Sequence, residues 1–113
     1  MKIELENVTV TNNADARRFE VRIGDYFGLI DYQIAGKNIV FSHTEVPQAF
    51  AGQGVAGKMA RTALDFAVEN EFKIIPICPF IAAFIRRNPE YQPHVWGYKA
   101  TGKTAEAVTT IEE

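Results

Sequence analysis

The sequence has few of the residues that build disulfides or metal sites. Its 113 residues include one cysteine, Cys78, and two histidines, His43 and His94. A single cysteine cannot form an internal disulfide, and this widely spaced set lacks the ligand spacing of a metal site. We therefore expect no disulfide and no bound metal.

Strong charge and long apolar runs are also missing. The 12 basic and 14 acidic residues give a formal net charge of −2 and are interspersed, whereas a nucleic-acid surface needs clustered basic residues. No apolar run approaches the roughly 18 residues of a membrane span, and the first residues alternate in charge, unlike a signal peptide. We expect a cytoplasmic protein that binds neither nucleic acid nor membranes.

What the sequence does contain is enough apolar surface for one packed domain. Hydrophobic residues make up 47% of the chain, and a domain of this length buries roughly 65% of the surface that its unfolded chain exposes. We assign residues 1–98 to a single domain. Residues 99–113 are mostly small and polar, which predicts a loosely held C-terminal tail.

The first half of the chain has the alternating pattern of β-strands. A short β-prone run, Val8–Val10, comes before a cluster of turn residues, Asn12–Asp15. Strands are then predicted at Arg17–Ile23, Tyr26–Ile34 and Ile39–Val46, with glycine-containing turns between them. Because short turns join antiparallel neighbours, the sequence predicts an antiparallel meander.

The last of these strands carries two titratable side chains. Since side chains alternate along a strand, His43 and Glu45 are expected on the same face as Ile39 and Phe41. Pro47 ends the strand because it lacks the N–H that a ladder needs.

A glycine-rich stretch follows directly and leads into a helix. Gly52, Gly54 and Gly57 allow tight turns and close approach of a ligand to the backbone. An apolar stripe predicts a helix over Gln53–Asn70, and the free N–H groups and positive dipole end of its first turn favour an anion. This stretch is therefore expected to bind phosphate.

The three glycines also match the dinucleotide fingerprint Gly-x-Gly-x-x-Gly. That motif requires a surrounding βαβ unit and an acidic residue at the end of the next strand. Here antiparallel strands come first, and the next strand ends at Ile77-Cys78-Pro79 without an acidic residue. We therefore set the dinucleotide interpretation aside.

A buried strand, Phe72–Ile77, and a second helix, Phe80–Asn88, are predicted after the first helix. The short link before this strand indicates a crossover that makes it parallel to the Ile39–Val46 strand. Cys78 then lies at the end of the sheet where α/β proteins bind ligands. Because Pro76 cannot donate a hydrogen bond, we expect the parallel strands to separate there.

Three motifs in this order resemble a short branch of the GNAT superfamily of acetyl-CoA-dependent N-acetyltransferases. They are His43-Thr44-Glu45-Val46-Pro47 with Gly52-Gln53-Gly54, then Ile75-Pro76-Ile77-Cys78-Pro79-Phe80, and then Tyr91 after Phe84-Ile85-Arg86-Arg87-Asn88-Pro89-Glu90. The resemblance spans about Arg17 to Tyr91. It departs from the family's phosphate-binding motif at Ala51, where Arg or Gln is usual.

The resemblance implies a GNAT-like fold of class α/β (α+β), with a mixed sheet and a glycine loop between the meander and the main helix. It implies acetyl-CoA as co-substrate, with the pantetheine arm in a wedge between the parallel strands and an N–H near Val46 facing the acetyl oxygen. The alternative role for Lys58, Arg86 and Arg87 is that of ordinary solvated cations on a helix face. The cofactor-binding residues expected on this basis are Val46, Gln53, Gly54, Val55, Ala56, Gly57, Lys58, Arg86 and Arg87.

Acetyl transfer to an amine needs a base, because removing the proton of a lysine-like amine at pH 7 costs roughly 4–5 kcal/mol. His43 and Glu45 are the candidates for this role. Cys78 matches a proposed catalytic cysteine of the resembling branch and would be either a nucleophile activated by His43 or the proton donor to the CoA thiolate. The plainer alternatives are a hydrogen-bonded sheet histidine, a solvated carboxylate and an inert buried thiol.

The sequence thus predicts an enzyme that acetylates an amine, such as a protein lysine, an N-terminus or a polyamine. The alternative is a non-catalytic module that binds CoA or a nucleotide, in which His43, Glu45 and Cys78 are structural.

Overall fold

The structure, a computed structural model, describes residues 2–99 and contains a mixed sheet with two helices. In chain order the elements are β1 (Thr11–Asn13), β2 (Arg18–Ile23), β3 (Tyr26–Ala35), β4 (Asn38–Glu45), α1 (Val55–Glu69), β5 (Lys73–Pro76) and α2 (Pro79–Arg87). Short 3-10 helices lie at Leu5–Asn7, Gln48–Phe50 and Pro89–His94. The predicted α/β class is confirmed.

The five strands lie side by side in chain order. The first four pair antiparallel, and β5 pairs parallel with β4 after the chain crosses over through α1. The tight turns that join β2 to β3 and β3 to β4 contain Gly24 and Gly36, and both glycines have the positive φ that such turns require. The predicted meander and the predicted crossover are both confirmed.

The position of the first strand differs from the prediction. β1 begins at Thr11, directly after the predicted run Val8–Val10, and extends into the predicted turn as far as Asn13. The side chain of Asn12 accepts a hydrogen bond from the Tyr32 hydroxyl (2.8 Å), and that of Asn13 donates to Glu20 (3.0 Å). The Asn13 side chain also accepts the Ala16 N–H (3.1 Å), so the turn follows β1 at residues 14–17 and not at Asn12–Asp15.

The helices cover one face of the sheet, and the core lies between α1 and that face. The rings of Phe19 and Tyr32 lie 5.5 and 6.2 Å from the ring of Phe66 on α1. Three alanines on the inner stripe of α1 are fully buried, namely Ala60, Ala63 and Ala67. Because these side chains are small, α1 packs close to the strands.

Arg61 and Tyr91 hold α2 and the segment after it against α1. The Tyr91 hydroxyl donates to Asp65 (2.6 Å) and accepts from Arg61 (2.9 Å), and the Arg61 guanidinium lies over the ring of Phe84 (5.4 Å). Burial, together with the hydrogen bond to Asp65, raises the pKa of Tyr91 to about 12. Tyr91 therefore keeps its proton at neutral pH and stabilises the packing of the helices.

Two features of other protein classes are absent from residues 2–99. No helix in this range is long and apolar enough to cross a membrane. No group of three or more side chains there could hold a metal ion. The predicted C-terminal tail, apart from Lys99, lies outside the described residues.

Candidate active site

β4 contains a bulge at Ser42, beside the predicted catalytic residues. In the pairing of β3 with β4, Tyr32 lies opposite Phe41, but its neighbour Asp31 lies opposite His43. Ser42 is therefore an extra residue without a partner in β3, as in a β-bulge. Beyond it, the alternation of side chains between the two faces of the sheet is shifted by one residue.

The bulge places His43 and Glu45 on the face opposite to the predicted one. Phe41 is fully buried in the core, and Thr44, which lies opposite the buried Ile30, faces the same side. The side chains of His43 and Glu45 are 55% and 64% exposed on the other face. The prediction that they share a face with the buried residues of β4 is wrong, because it assumed an unbroken alternation.

Cys78 lies on the inner side of the sheet, where α2 begins. It is 4% exposed, and its Sγ is 3.1 Å from the hydroxyl oxygen of Thr44. His43, the base that a nucleophilic Cys78 would need, lies on the other side of the sheet. The structure thus brings Cys78 together with Thr44, a contact that a regular strand pattern would not predict.

The parallel strands stay bonded further than predicted. Their register runs to the pair of Phe41 and Pro76, and the Cys78 N–H then donates to the Phe41 carbonyl (2.9 Å). Pro76 lacks an N–H, but Ile77 donates to Ile75 (3.1 Å), which shortens the chain locally so that Cys78 takes up the bond to β4. The paired register thus ends at Pro76, where separation is expected, although one further hydrogen bond, from Cys78, still joins the two chain segments.

His43 and Glu45 form a pair on the open face. His43 Nε2 and Glu45 Oε2 are 2.9 Å apart. Because both side chains are largely exposed, water screens the pair, and such pairs contribute at most about 1 kcal/mol to stability. The pair therefore does little for the fold, while both groups remain accessible to a molecule arriving from solvent.

The glycine loop leaves a row of free N–H groups at the start of α1. Gly54 precedes the helix with a φ of 83°, so α1 begins at Val55 and not at Gln53. Within residues 2–99, no acceptor bonds to the N–H groups of residues 54–57, whereas the Gln53 N–H donates to Phe50 (3.3 Å). Four of the five predicted amides are thus available to a phosphate.

Gly57 adds open space beside these amides. A Cβ at this position would have no neighbour within 4 Å. Gly57 borders a groove of about 470 Å³ that also runs past Leu5, Lys58 and Arg61. The groove runs from Gly54 along α1 to Asp65, so the helix dipole favours an anion at its Gly54 end.

Lys58, a predicted phosphate ligand, is engaged by the backbone. Its ammonium donates to the carbonyls of Leu5 (2.9 Å) and Val8 (2.5 Å). These carbonyls belong to residues 3–8, which we call the N-terminal segment. The sequence offered no signal for this contact, because the partners lie some 50 residues apart.

The other predicted cofactor residues are more scattered. Arg86 and Arg87 are exposed in the last turn of α2, and neither borders the groove beside Gly57. Arg86 borders a separate groove with Trp96. Val46, half-buried, is the first residue beyond β4.

Sequence comparison relates the chain to known proteins. The family model described as GCN5-related N-acetyl-transferase matches residues 18–94. A chicken (Gallus gallus) protein named NATD1 is 36% identical over 93 residues, which cover 78% of this chain and 84% of the relative. The human (Homo sapiens) NATD1 is 36% identical over 85 residues, covering 73% of this chain and 75% of the relative.

Structure comparison gives the same relationship at the level of the fold. The NMR structure of a Staphylococcus aureus protein described as GCN5-like aligns with a TM-score of 0.66 and 24% sequence identity. The alignment covers 84% of this chain and 94% of that protein. At this identity the likeness supports the fold, whereas the family model and the NATD1 relatives identify the lineage. The chain belongs to the GCN5-related N-acetyltransferase (GNAT) family.

Proposed function

We propose that the protein transfers an acetyl group from acetyl-CoA to an amine. Family membership supports the activity, and one observation carries it for this chain. The free N–H groups of residues 54–57 lie at the positive end of α1, beside an open groove. Phosphate groups bind at such positions because the N–H groups and the helix dipole act together.

In this chain, backbone N–H groups are better placed than side chains to bind the phosphates of CoA. Gly57 leaves room beside the amides, and Lys58 is engaged elsewhere. Ala51 offers no charge at its position. We therefore assign phosphate binding to residues 54–57 and the pantetheine arm to the space beyond Cys78, near Val46, where the chain leaves β4.

His43 and Glu45 are the proposed base for the amine. The proton of a lysine-like amine costs roughly 4–5 kcal/mol to remove at pH 7, and a positioned base contributes ~10²- to 10⁴-fold. A neutral His43 can take this proton while the Glu45 carboxylate, 2.9 Å away, stabilises the resulting charge. Because the pair is exposed, it suits an accessible acceptor such as a protein lysine, an N-terminus or a polyamine.

Cys78 is the proposed proton donor to the departing thiolate. The amine nitrogen bonds to the acetyl carbon, the carbon–sulfur bond of acetyl-CoA breaks, and the Cys78 thiol proton passes to the CoA sulfur before solvent reprotonates Cys78. A nucleophilic role would require His43 as base, and the two residues lie on opposite sides of the sheet. Mass spectrometry after incubation with acetyl-CoA alone should find Cys78 unmodified, and an acetylated Cys78 would favour the nucleophilic role.

Calorimetric titration with acetyl-CoA, beside NAD as a control ligand, tests the binding part. The variant Gly57→Leu fills the open space beside the amides. Gly54 is less suitable, because its φ of 83° and a Leu5 carbon 3.1 Å from an added Cβ would strain the fold. We expect saturable acetyl-CoA binding that is lost in Gly57→Leu and kept in Glu69→Leu, which adds the same side chain at the other end of α1. Absence of binding, or a preference for NAD, would overturn the proposal.

A non-catalytic CoA-binding module is the second candidate, and the burial of Cys78 at 4% exposure favours it. Turnover with polyamines and lysine peptides separates the two. Under the first proposal, His43→Gln and Cys78→Ala each lower the rate without abolishing acetyl-CoA binding. A protein that binds acetyl-CoA, acetylates no amine and is unaffected by both substitutions would be the binding module.

A further inference from the structure

The N-terminal segment is fastened beside the proposed cofactor groove at several points. Lys58 donates to the carbonyls of Leu5 and Val8, and the side chain of Gln53 accepts the N–H of Ile3 (2.8 Å). Val8 is 7% exposed within the core, and Ile3 packs against the core from outside. Both ends of the segment are therefore fixed, which distinguishes it from a frayed terminus.

The middle of the segment faces the glycine loop. Leu5 borders the same groove as Gly54 and Gly57. Its Cδ2 would lie 3.1 Å from a Cβ at Gly54, so the leucine side chain occupies the space beside this glycine. Leu5 is also among the more exposed large apolar residues, at 36%. Its side chain thus covers the loop rather than filling the core.

From these contacts we infer that the N-terminal segment forms one wall of the acetyl-CoA groove, and that Lys58 anchors this wall instead of binding a phosphate. The inference rests on the proposed function. Two of the three hydrogens of the Lys58 ammonium are directed at backbone carbonyls, which leaves its charge largely committed. The Leu5 side chain, the part of this wall that lies beside Gly54, excludes water from the free amides and so strengthens their attraction for an anion.

Charge substitutions at residue 5 test the wall. We expect Leu5→Glu to weaken acetyl-CoA binding and Leu5→Lys to tighten it, each about fivefold at low salt, because unit charges several Å apart interact with roughly 1 kcal/mol near a surface. Asn7→Glu and Asn7→Lys are the matched controls. Asn7 is exposed on the same segment but borders a different groove. Equal changes in acetyl-CoA affinity from the substitutions at residues 5 and 7 would overturn the inference that Leu5 lines the acetyl-CoA groove.

Amide hydrogen exchange tests the anchor without any ligand. Lys58→Met should accelerate exchange of the Ile3 and Val8 amides about tenfold or more, which corresponds to the loss of about 1.4 kcal/mol of local stability. Lys58→Arg, which keeps a donor and the charge, should restore most of the protection. If Lys58→Met weakens acetyl-CoA binding but leaves exchange in the segment unchanged, Lys58 binds phosphate and the anchor is wrong. Wild-type protein that does not bind acetyl-CoA would instead overturn the proposed function, whatever the exchange result.

Discussion

Substitution of Gly57 should stabilise the protein and weaken acetyl-CoA binding at the same time. Gly57 lies in α1 without a positive φ, and a Cβ there meets nothing within 4 Å. Alanine is favoured over glycine inside a helix by about 1 kcal/mol, because glycine loses more backbone entropy on folding. Since Gly57 is in the first turn, we expect about 0.5–1 kcal/mol from Gly57→Ala, or a rise in Tm of about 2–8 °C.

The same position decides access to the free amides. Leucine is nearly as good a helix former as alanine, so Gly57→Leu should also be stabilised, while its side chain enters the groove. Acetyl-CoA affinity should then fall by about tenfold or more, equivalent to about 1.4 kcal/mol. Thermal unfolding by circular dichroism and calorimetric titration on the same samples measure both effects. If Gly57→Ala is destabilised, the space beside Gly57 is not open. If Gly57→Leu is stabilised but its affinity for acetyl-CoA is unchanged, acetyl-CoA does not bind in this groove.

Three further predictions concern the site and its support. The fold raises the pKa of Tyr91 from 10 to about 12. The stability that the protonated hydroxyl supplies is therefore complete below pH 10 and is lost as the pH rises towards 12. Urea unfolding at alkaline pH should show that Tyr91→Phe removes this loss of stability. Thr44→Val should slow the alkylation of Cys78 at constant pH, because the thiolate loses a hydrogen-bond donor, whereas Thr44→Ser should not. Equal alkylation rates in Thr44→Val and the wild type would show that the 3.1 Å contact has no effect on the thiol. Ile74→Ala should cost about 2–5 kcal/mol because Ile74 is fully buried, and Ile77→Ala, at a 64% exposed residue, less than about 0.5 kcal/mol; similar unfolding midpoints would contradict the exposure of Ile77 after the end of β5.

Most of the fold could be predicted because its signals are local. The turns at Gly24 and Gly36 separate alternating strands, and the apolar stripe of α1 followed by a short link specifies the crossover. The glycine loop was predictable for the same reason, since Gly54 is needed for its positive φ. Local pattern and tertiary packing agree in these elements, so sequence reasoning succeeds there.

The candidate site was less predictable because non-local contacts shape it. Nothing in the residues around Ser42 marks a bulge, which arises from the pairing of β3 with β4. A lysine on a helix face predicts a solvated or phosphate-binding cation, but the partners of Lys58 are carbonyls in the N-terminal segment. Thr44 carried no signal of its own, since a regular alternation would have turned its hydroxyl away from Cys78.

The bulge also determines on which side of the sheet the proposed base and the proposed acid lie. It turns the exposed His43–Glu45 pair to the open face and turns Thr44 to the helix side, where its hydroxyl contacts the Cys78 thiol. The attacking nitrogen and the departing sulfur are bonded to the same carbon, so direct transfer requires the acetyl group to lie beside β4 beyond Phe41, where β5 no longer pairs with it. There the amine would lose its proton on the open face, and the thiolate of CoA would gain one on the helix side. Within the proposed function, this separation of base and acid across one strand favours direct attack of the amine on acetyl-CoA over a two-step transfer through Cys78.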